Sequence, residues 1–131
     1  MTETEKIRVL VADDEMHSRA LLKAVLKEMG HEIAGEASNG PEAVDLFRQL
    51  KPDLILLDVN MPLSTGEEVL AQILSEFPDA FVIMLTAVTD METVEKCVAQ
   101  GAANYIRKDT PIAEIKQIIQ EAWVTFRKDE V

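Results

Sequence analysis

The chain has 131 residues, 47% hydrophobic and 28% charged, which fits one compact domain burying roughly two-thirds of its unfolded surface without staples. Its 13 Lys and Arg stand against 24 Asp and Glu, a formal net charge of -11. That balance excludes an electrostatic nucleic-acid binder, which needs a basic face to release counterions, and adhesion to an anionic membrane. It suits capture of a hard cation, or docking on a basic patch of a partner. No apolar run approaches the ~20 residues of a membrane span, and the single Cys97 rules out an internal disulfide. The expectation is one domain over residues 1–131, with its core at about 7–126, in the cytoplasm.

Residues 1–6 are charged and lack an apolar signal core; with the polar residues 127–131 they are expected to fray. Residues 7–12 are a dense apolar run, suited to a strand covered on both faces. Leu22, Val25, Leu26 and Met29 then recur at helical spacing, and Gly30 stops that helix. Residues 31–37 are more polar, as an edge strand would be. Ala43, Val44 and Phe47 open a second helical stripe. Residues 54–57 form a third strand. Val69, Leu70, Ile73, Leu74 and Phe77 make the next stripe, which Pro78 ends and the capping-box pair Thr65 and Glu68 begins. Residues 81–86 predict the fourth strand. Met91, Val94 and Val98 mark a fourth helix between the capping-box pair Thr89 and Glu92 and the terminator Gly101. Residues 104–107 are short and edge-like. Thr110 as N-cap and Pro111 at the first helical position open the last helix. Its stripe is Ile112, Ile115, Ile119, Ala122 and Phe126, with Ile118 and Trp123 at the margins.

The order is therefore βαβαβαβαβα. Strands joined by helices of this length run parallel with right-handed crossovers, giving a five-stranded doubly wound α/β fold. In such sheets ligands bind beyond the carboxyl ends of the strands, where the strand order reverses. The first strand is followed by Asp13-Asp14-Glu15, the third by Asp58-Val59-Asn60, the fourth ends in Thr86-Ala87, and the fifth is followed by Lys108. With strand order 2-1-3-4-5, Asp13, Asp14 and Asp58 share one pocket flanked by Thr86 and Lys108. Crowded carboxylates either take up protons or hold a cation, and all-oxygen ligands in an open site suit Mg2+. Metal, ammonium and hydroxyl together can hold the oxygens of a PO3 group, and a carboxylate can be the nucleophile that accepts it.

Each residue alone has a plainer structural reading. Asp13-Asp14 would make a solvated helix-capping turn, Asp58 a turn residue before Met61-Pro62, Thr86 a β-branched strand residue, and Lys108 a surface lysine. The ordered set at the ends of four strands is what points to chemistry. His17 and His31 are expected at the surface and, with one distant cysteine, make no zinc site. Cys97 and the methionines read as packing residues.

The acidic pair Asp13-Asp14, the stretch Asp58-Val59-Asn60-Met61-Pro62 with Gly66, the pair Thr86-Ala87, and Lys108 resemble the receiver domain of two-component response regulators. The single-domain form typified by the chemotaxis regulator is the nearest type, and the resemblance runs over residues 7–126. It implies the flavodoxin-like strand order and Asp58 as phosphoacceptor. It further implies Mg2+ organised by Asp13, Asp14, Asp58 and the backbone carbonyl of Asn60, and Lys108 pairing with phosphate. Thr86 would move to bond that phosphate, and Tyr105 occupies the position of the family's rotating aromatic. The implied partners are a sensor histidine kinase or histidine phosphotransfer protein and a downstream protein target, with the chain a monomer or weak dimer. It would catalyse only its own phosphorylation and dephosphorylation. The alternatives are a phosphorylation-independent interaction module, and a receiver fragment of a larger regulator.

Two positions depart from the family pattern. Asp109 stands where proline usually follows the lysine, so a trans Lys108–Asp109 bond is expected, with Asp109 drawing Lys108 from the pocket. Val88 cannot orient an attacking water, whereas Asn60 can. An aspartyl-nucleophile phosphatase is disfavoured because Asn60 replaces its general acid, and a flavodoxin-like cofactor carrier because Asp13-Asp14-Glu15 would repel a phosphate. Trp123 is expected to lie away from Asp58, and Ile118 and Trp123 are candidate partner contacts.

Overall fold

The computed structural model describes residues 6–129, and of Val88, Lys128 and Asp129 the backbone only. Five strands alternate with five helices: β1 (Arg8–Ala12), α1 (Met16–Glu28), β2 (Glu32–Ala37), α2 (Gly40–Leu50), β3 (Leu54–Asp58), α3 (Gly66–Glu76), β4 (Val82–Thr86), α4 (Met91–Gln100), β5 (Asn104–Arg107) and α5 (Ile112–Asp129). A 3-10 turn over Val88–Asp90 leads into α4. The strands pair in parallel in the order β2-β1-β3-β4-β5. This is the doubly wound arrangement that the alternation of elements predicts, in the flavodoxin-like order that the resemblance implies, with β2 and β5 at the edges.

The period-2 side-chain alternation of the central strands divides the core into two layers. Leu10 and Ala12, Ile55 and Leu57, and Val82 and Met84 face Val44, Phe47, Val69, Leu70, Ile73, Val94 and Cys97 of α2, α3 and α4. Val9 and Val11, Leu54 and Leu56, and Ile83 and Leu85 face Leu22, Val25 and Leu26 of α1 and Ile115, Ile119 and Ala122 of α5. Strands β3 and β4 are buried throughout. Each of their large side chains stabilises the fold by about 1.5–3 kcal/mol, which holds the ends of these strands at fixed positions.

Local signals explain most helix limits, and the exceptions have physical reasons. The Thr65–Glu68 capping box forms in full at α3. The Thr89–Glu92 pair does not form one, because the 3-10 turn moves the N-cap of α4 to Asp90. At α5 the carbonyl of Pro111, not Thr110, accepts the first i+4 bond, from Ile115 N–H, so proline stands at the N-cap. On α4 the core position is Cys97, fully buried, whereas Val98 is 41% exposed. A small thiol behaves as a buried apolar residue and took the place the valine was expected to hold. Residues 1–5 and 130–131 of the expected frayed tips lie outside the described residues; residues 127–129 are helical, as the end of α5.

Trp123 and Ile118 pack against the α1–α5 layer. Trp123 lies 5.6 Å from Phe81 and 6.0 Å from Phe126, ring centre to ring centre. Phe81 precedes β4, so this cluster sits at the end of the sheet opposite Asp58. Both residues complete this layer of the core while remaining partly exposed.

His31 is also inside, 6% exposed, against the surface position expected of it. Its Nδ1 accepts the Ile7 N–H at 3.2 Å, which requires a neutral ring, and burial holds its pKa below the ordinary histidine value. A depressed histidine pKa contributes stability that is present above the unfolded value and is lost as pH falls through the folded one. As pH falls from neutral into the mildly acidic range, the wild-type protein is expected to lose more stability than His31→Asn. Denaturant melts across that range check this; parallel curves would refute it.

Candidate acidic site at the carboxyl edge of the sheet

The ends of β1 and β3 are neighbours, with Ala12 paired to Leu57, and the residues beyond them converge. One carboxylate oxygen from each of Asp13, Asp14, Glu15 and Asp58 lies within 4.8 Å of the others. The open cleft there, about 380 Å3, is lined by Asp14, Glu15, Asp58, Asn60, Ala87 and Lys108. Asp13 and Asp58 are buried, at 0% and 3% exposure, while Asp14 and Glu15 are exposed.

Two buried acids side by side need a counter-charge, and Lys108 supplies it from beyond β5. Its Nζ donates to Asp58 Oδ2 at 2.8 Å, Glu15 Oε1 at 2.8 Å and Asp13 Oδ1 at 3.2 Å. Backbone N–H groups complete the frame. Asn60 donates to Asp58 Oδ1 at 3.0 Å and Glu15 to Asp13 Oδ1 at 2.9 Å. Burial pushes the Asp58 carboxyl up to about 7. The hydrogen bonds from Lys108 and Asn60 pull the other way, and the Asp13 charge adds to the rise. For Lys108, burial acts to lower the pKa, but hydrogen bonds to Asp58 and Glu15 and the charges of Asp58 and Asp13 raise it above the lysine norm.

The backbone around the cleft is tightly built. Gly66 opens α3 against the end of β3, its N–H donating to Val59 O at 2.8 Å. A Cβ there would collide with the Asp58 carbonyl oxygen and come within 2.7 Å of Val59 Cα. Only glycine lets the two elements meet this closely. Asn60 Nδ2 donates to Asp90 Oδ2 at 2.6 Å, tying the exit of β3 to the start of α4.

The structure thus brings Asp13, Asp14, Asp58, Asn60 and Lys108 to one cleft. Thr86 is fully buried at the end of β4, and its hydroxyl donates to the Ala87 carbonyl at 2.9 Å. Tyr105 is half-buried on β5, packed against the α2–α4 layer. Among the described residues no peptide bond is cis, so Lys108–Asp109 is trans, as Asp109 predicts. Asp109 does not draw Lys108 away. It pairs with Arg107, at 2.9 Å, because its side chain projects beside that of its next-but-one neighbour. The acid that holds Lys108 from outside the buried pair is Glu15, which sequence reasoning missed. Its one signal was adjacency to the acidic pair.

The donor set suits a hard cation. Four carboxylates face one another, and Asp13 Oδ2 is buried with no hydrogen-bond partner among the described residues. An orphaned carboxylate oxygen is costly unless an ion or water satisfies it. Asp13, Asp14 and Asp58 are the groups that could hold Mg2+.

A doubly wound parallel sheet with an acidic, lysine-bridged cleft where its strand order reverses defines a class of α/β signalling proteins. Residues 9–120 match the model of the response regulator receiver domain, and the chain belongs to that family. It is 40% identical over 109 residues to Protein CcdB of Bacillus subtilis, covering 83% of this chain and 89% of that one. It is 34% identical over 116 residues to Chemotaxis protein CheY of Listeria monocytogenes, covering 88% and 98%. Among solved structures, the CheX–CheY–BeF3–Mg2+ complex of Borrelia burgdorferi superposes with a TM-score of 0.84 at 28% identity, covering 88% of each chain.

An ion that binds only the folded pocket stabilises it, by about 2.7 kcal/mol at a concentration 100 times its Kd. Mg2+ is therefore expected to raise the melting temperature of the wild-type protein. Asp14→Ala should melt at or above the metal-free wild-type temperature, because it removes repulsion, and lose most of the Mg2+ increment. Differential scanning calorimetry with and without Mg2+ decides this. A clearly lower metal-free melting point for the variant would count against a shared acidic pocket.

Proposed function

We propose that this protein is a phosphorylation-controlled switch that accepts a phosphoryl group on Asp58, residues 1–131 acting as one receiver domain with its core at 7–126. The observation that carries the reading is the buried Asp58 carboxylate, bridged by Lys108 to Asp13 at the edge of an open cleft. One Asp58 oxygen attacks phosphorus, the P–N bond of a phosphohistidine donor breaks, and the imidazole leaves with the electron pair. Asp13, Asp14, Asp58 and the Asn60 carbonyl would hold Mg2+, which when bound neutralises charge on the phosphoryl oxygens. Lys108 neutralises a further oxygen. The Thr86 hydroxyl turns from the Ala87 carbonyl to the phosphoryl group, and Tyr105 follows into the space this opens. Phosphate favours the second conformation by the difference in its affinity for the two.

Partners follow from this chemistry. A sensor histidine kinase or histidine phosphotransfer protein is the donor, and a downstream protein reads the altered surface, the chain acting as a monomer or weak dimer in the cytoplasm. The similar Borrelia CheY has been solved in complex with CheX, which supports output by protein contact. The protein is its own catalyst for gaining and losing phosphate and turns over no other substrate.

Incubation with acetyl phosphate and Mg2+ is expected to add the mass of one phosphoryl group, and Asp58→Asn to add none, by intact-mass spectrometry. Equal uptake by the variant would place the acceptor elsewhere. Hydrolysis of the acyl phosphate needs a water held in line, which Asn60 can hold by hydrogen bonding and valine at position 88 cannot. Asn60→Ala should lengthen the phosphoryl lifetime several-fold and Val88→Glu shorten it, followed by release of inorganic phosphate. Unchanged lifetimes in both would remove these two positions from the hydrolytic step.

A further inference from the structure

Glu15 occupies the N-cap of α1, where Ser, Thr, Asp or Asn commonly bonds the first turn. Its side chain makes no capping bond, and its carboxylate instead accepts a hydrogen bond from Lys108 Nζ at 2.8 Å. An ammonium has three N–H donors, and Asp13, Asp58 and Glu15 each take one. Any phosphoryl oxygen that reaches Lys108 must displace one of the three. Asp13 and Asp58 are buried, with side-chain exposures of 0% and 4%, and would be left as desolvated charges. The Glu15 side chain is 64% exposed and returns to water at little cost. Its contact is the one that gives way.

We propose that Glu15 is a positioning and selectivity residue: it holds Lys108 at the cleft mouth until phosphate arrives, and its charge disfavours highly anionic phosphodonors. The inference rests on Asp58 as acceptor. With acetyl phosphate, an Asp58 oxygen bonds to phosphorus, the P–O bond breaks, and acetate leaves with the electron pair. With phosphoramidate the P–N bond breaks and ammonia leaves. At neutral pH the first donor is a dianion and the second a monoanion, so Glu15 opposes the first more strongly.

Phosphorylation rates are measured at saturating Mg2+ with both donors over a range of ionic strength, for the wild type, Glu15→Gln and Glu15→Asp. Glu15→Gln is expected to speed acetyl phosphate roughly two- to fivefold, the rate equivalent of a surface ion pair, to speed phosphoramidate less, and to flatten the salt dependence. Glu15→Asp keeps the charge and should keep the wild-type donor preference. In the metal-free protein, NMR should show the Lys108 ammonium exchanging with solvent faster in Glu15→Gln. Equal acceleration of both donors with unchanged salt dependence, or no acceleration at all, overturns the inference while phosphorylation of the wild type stands. A wild type that takes up no phosphate overturns the functional reading and this inference with it.

Discussion

The contact on which the rest of this molecule depends is the ammonium of Lys108 among the carboxylates of Asp13, Asp58 and Glu15. Two buried acids in one cleft are untenable alone, since burial penalises each charge and the charges repel. One lysine answers both problems. Removing one partner of such a buried pair commonly costs about 3–5 kcal/mol, so Asp13, Asp58 and Lys108 depend on one another. The price of that arrangement is borne by the two-layer core, which fixes the strand ends so that residues 13, 58 and 108, far apart in the chain, meet within hydrogen-bonding distance.

The same framework connects the cleft to the rest of the fold. Gly66 brings the start of α3 against the backbone carbonyl of Asp58, so this helix packs directly on the strand end that carries the acid. The Asn60–Asp90 hydrogen bond joins the exit of β3 to the beginning of α4. Thr86 spends its hydroxyl hydrogen on a neighbouring carbonyl, a bond that a stronger acceptor nearby can replace. A phosphoryl group in the cleft would thus meet several elements whose present bonds are made one at a time and can be exchanged one at a time.

How much of this was legible in the chain depended on the range of each signal. The runs at 54–57 and 81–86 announced buried parallel strands because both faces are covered. Thr65 and Glu68 announced the start of α3 because a capping box is made within four residues. The signals failed where distant parts of the chain compete. Thr89 lost its cap to a 3-10 turn, Cys97 displaced Val98 from the core, and His31 was drawn inside by the Ile7 N–H. The local pull of Arg107 on Asp109 decided which charges surround Lys108.

Alternation of apolar runs and helical stripes was enough to determine the doubly wound class, and with the strand order implied by the receiver resemblance it brought Asp13, Asp14, Asp58 and Lys108 to one candidate site at the carboxyl edge. Periodicity and topology carry that information, because a parallel sheet admits few arrangements of its crossovers. Which acid completes the lysine's coordination was decided only in three dimensions. Glu15 reads in the chain as one more residue of a solvated turn, and becomes a partner of Lys108 only when β1 and β5, at different places in the sheet, direct their following residues to the same point. A contact spanning 93 positions has no local signature, and its existence depends on the packing of every element between.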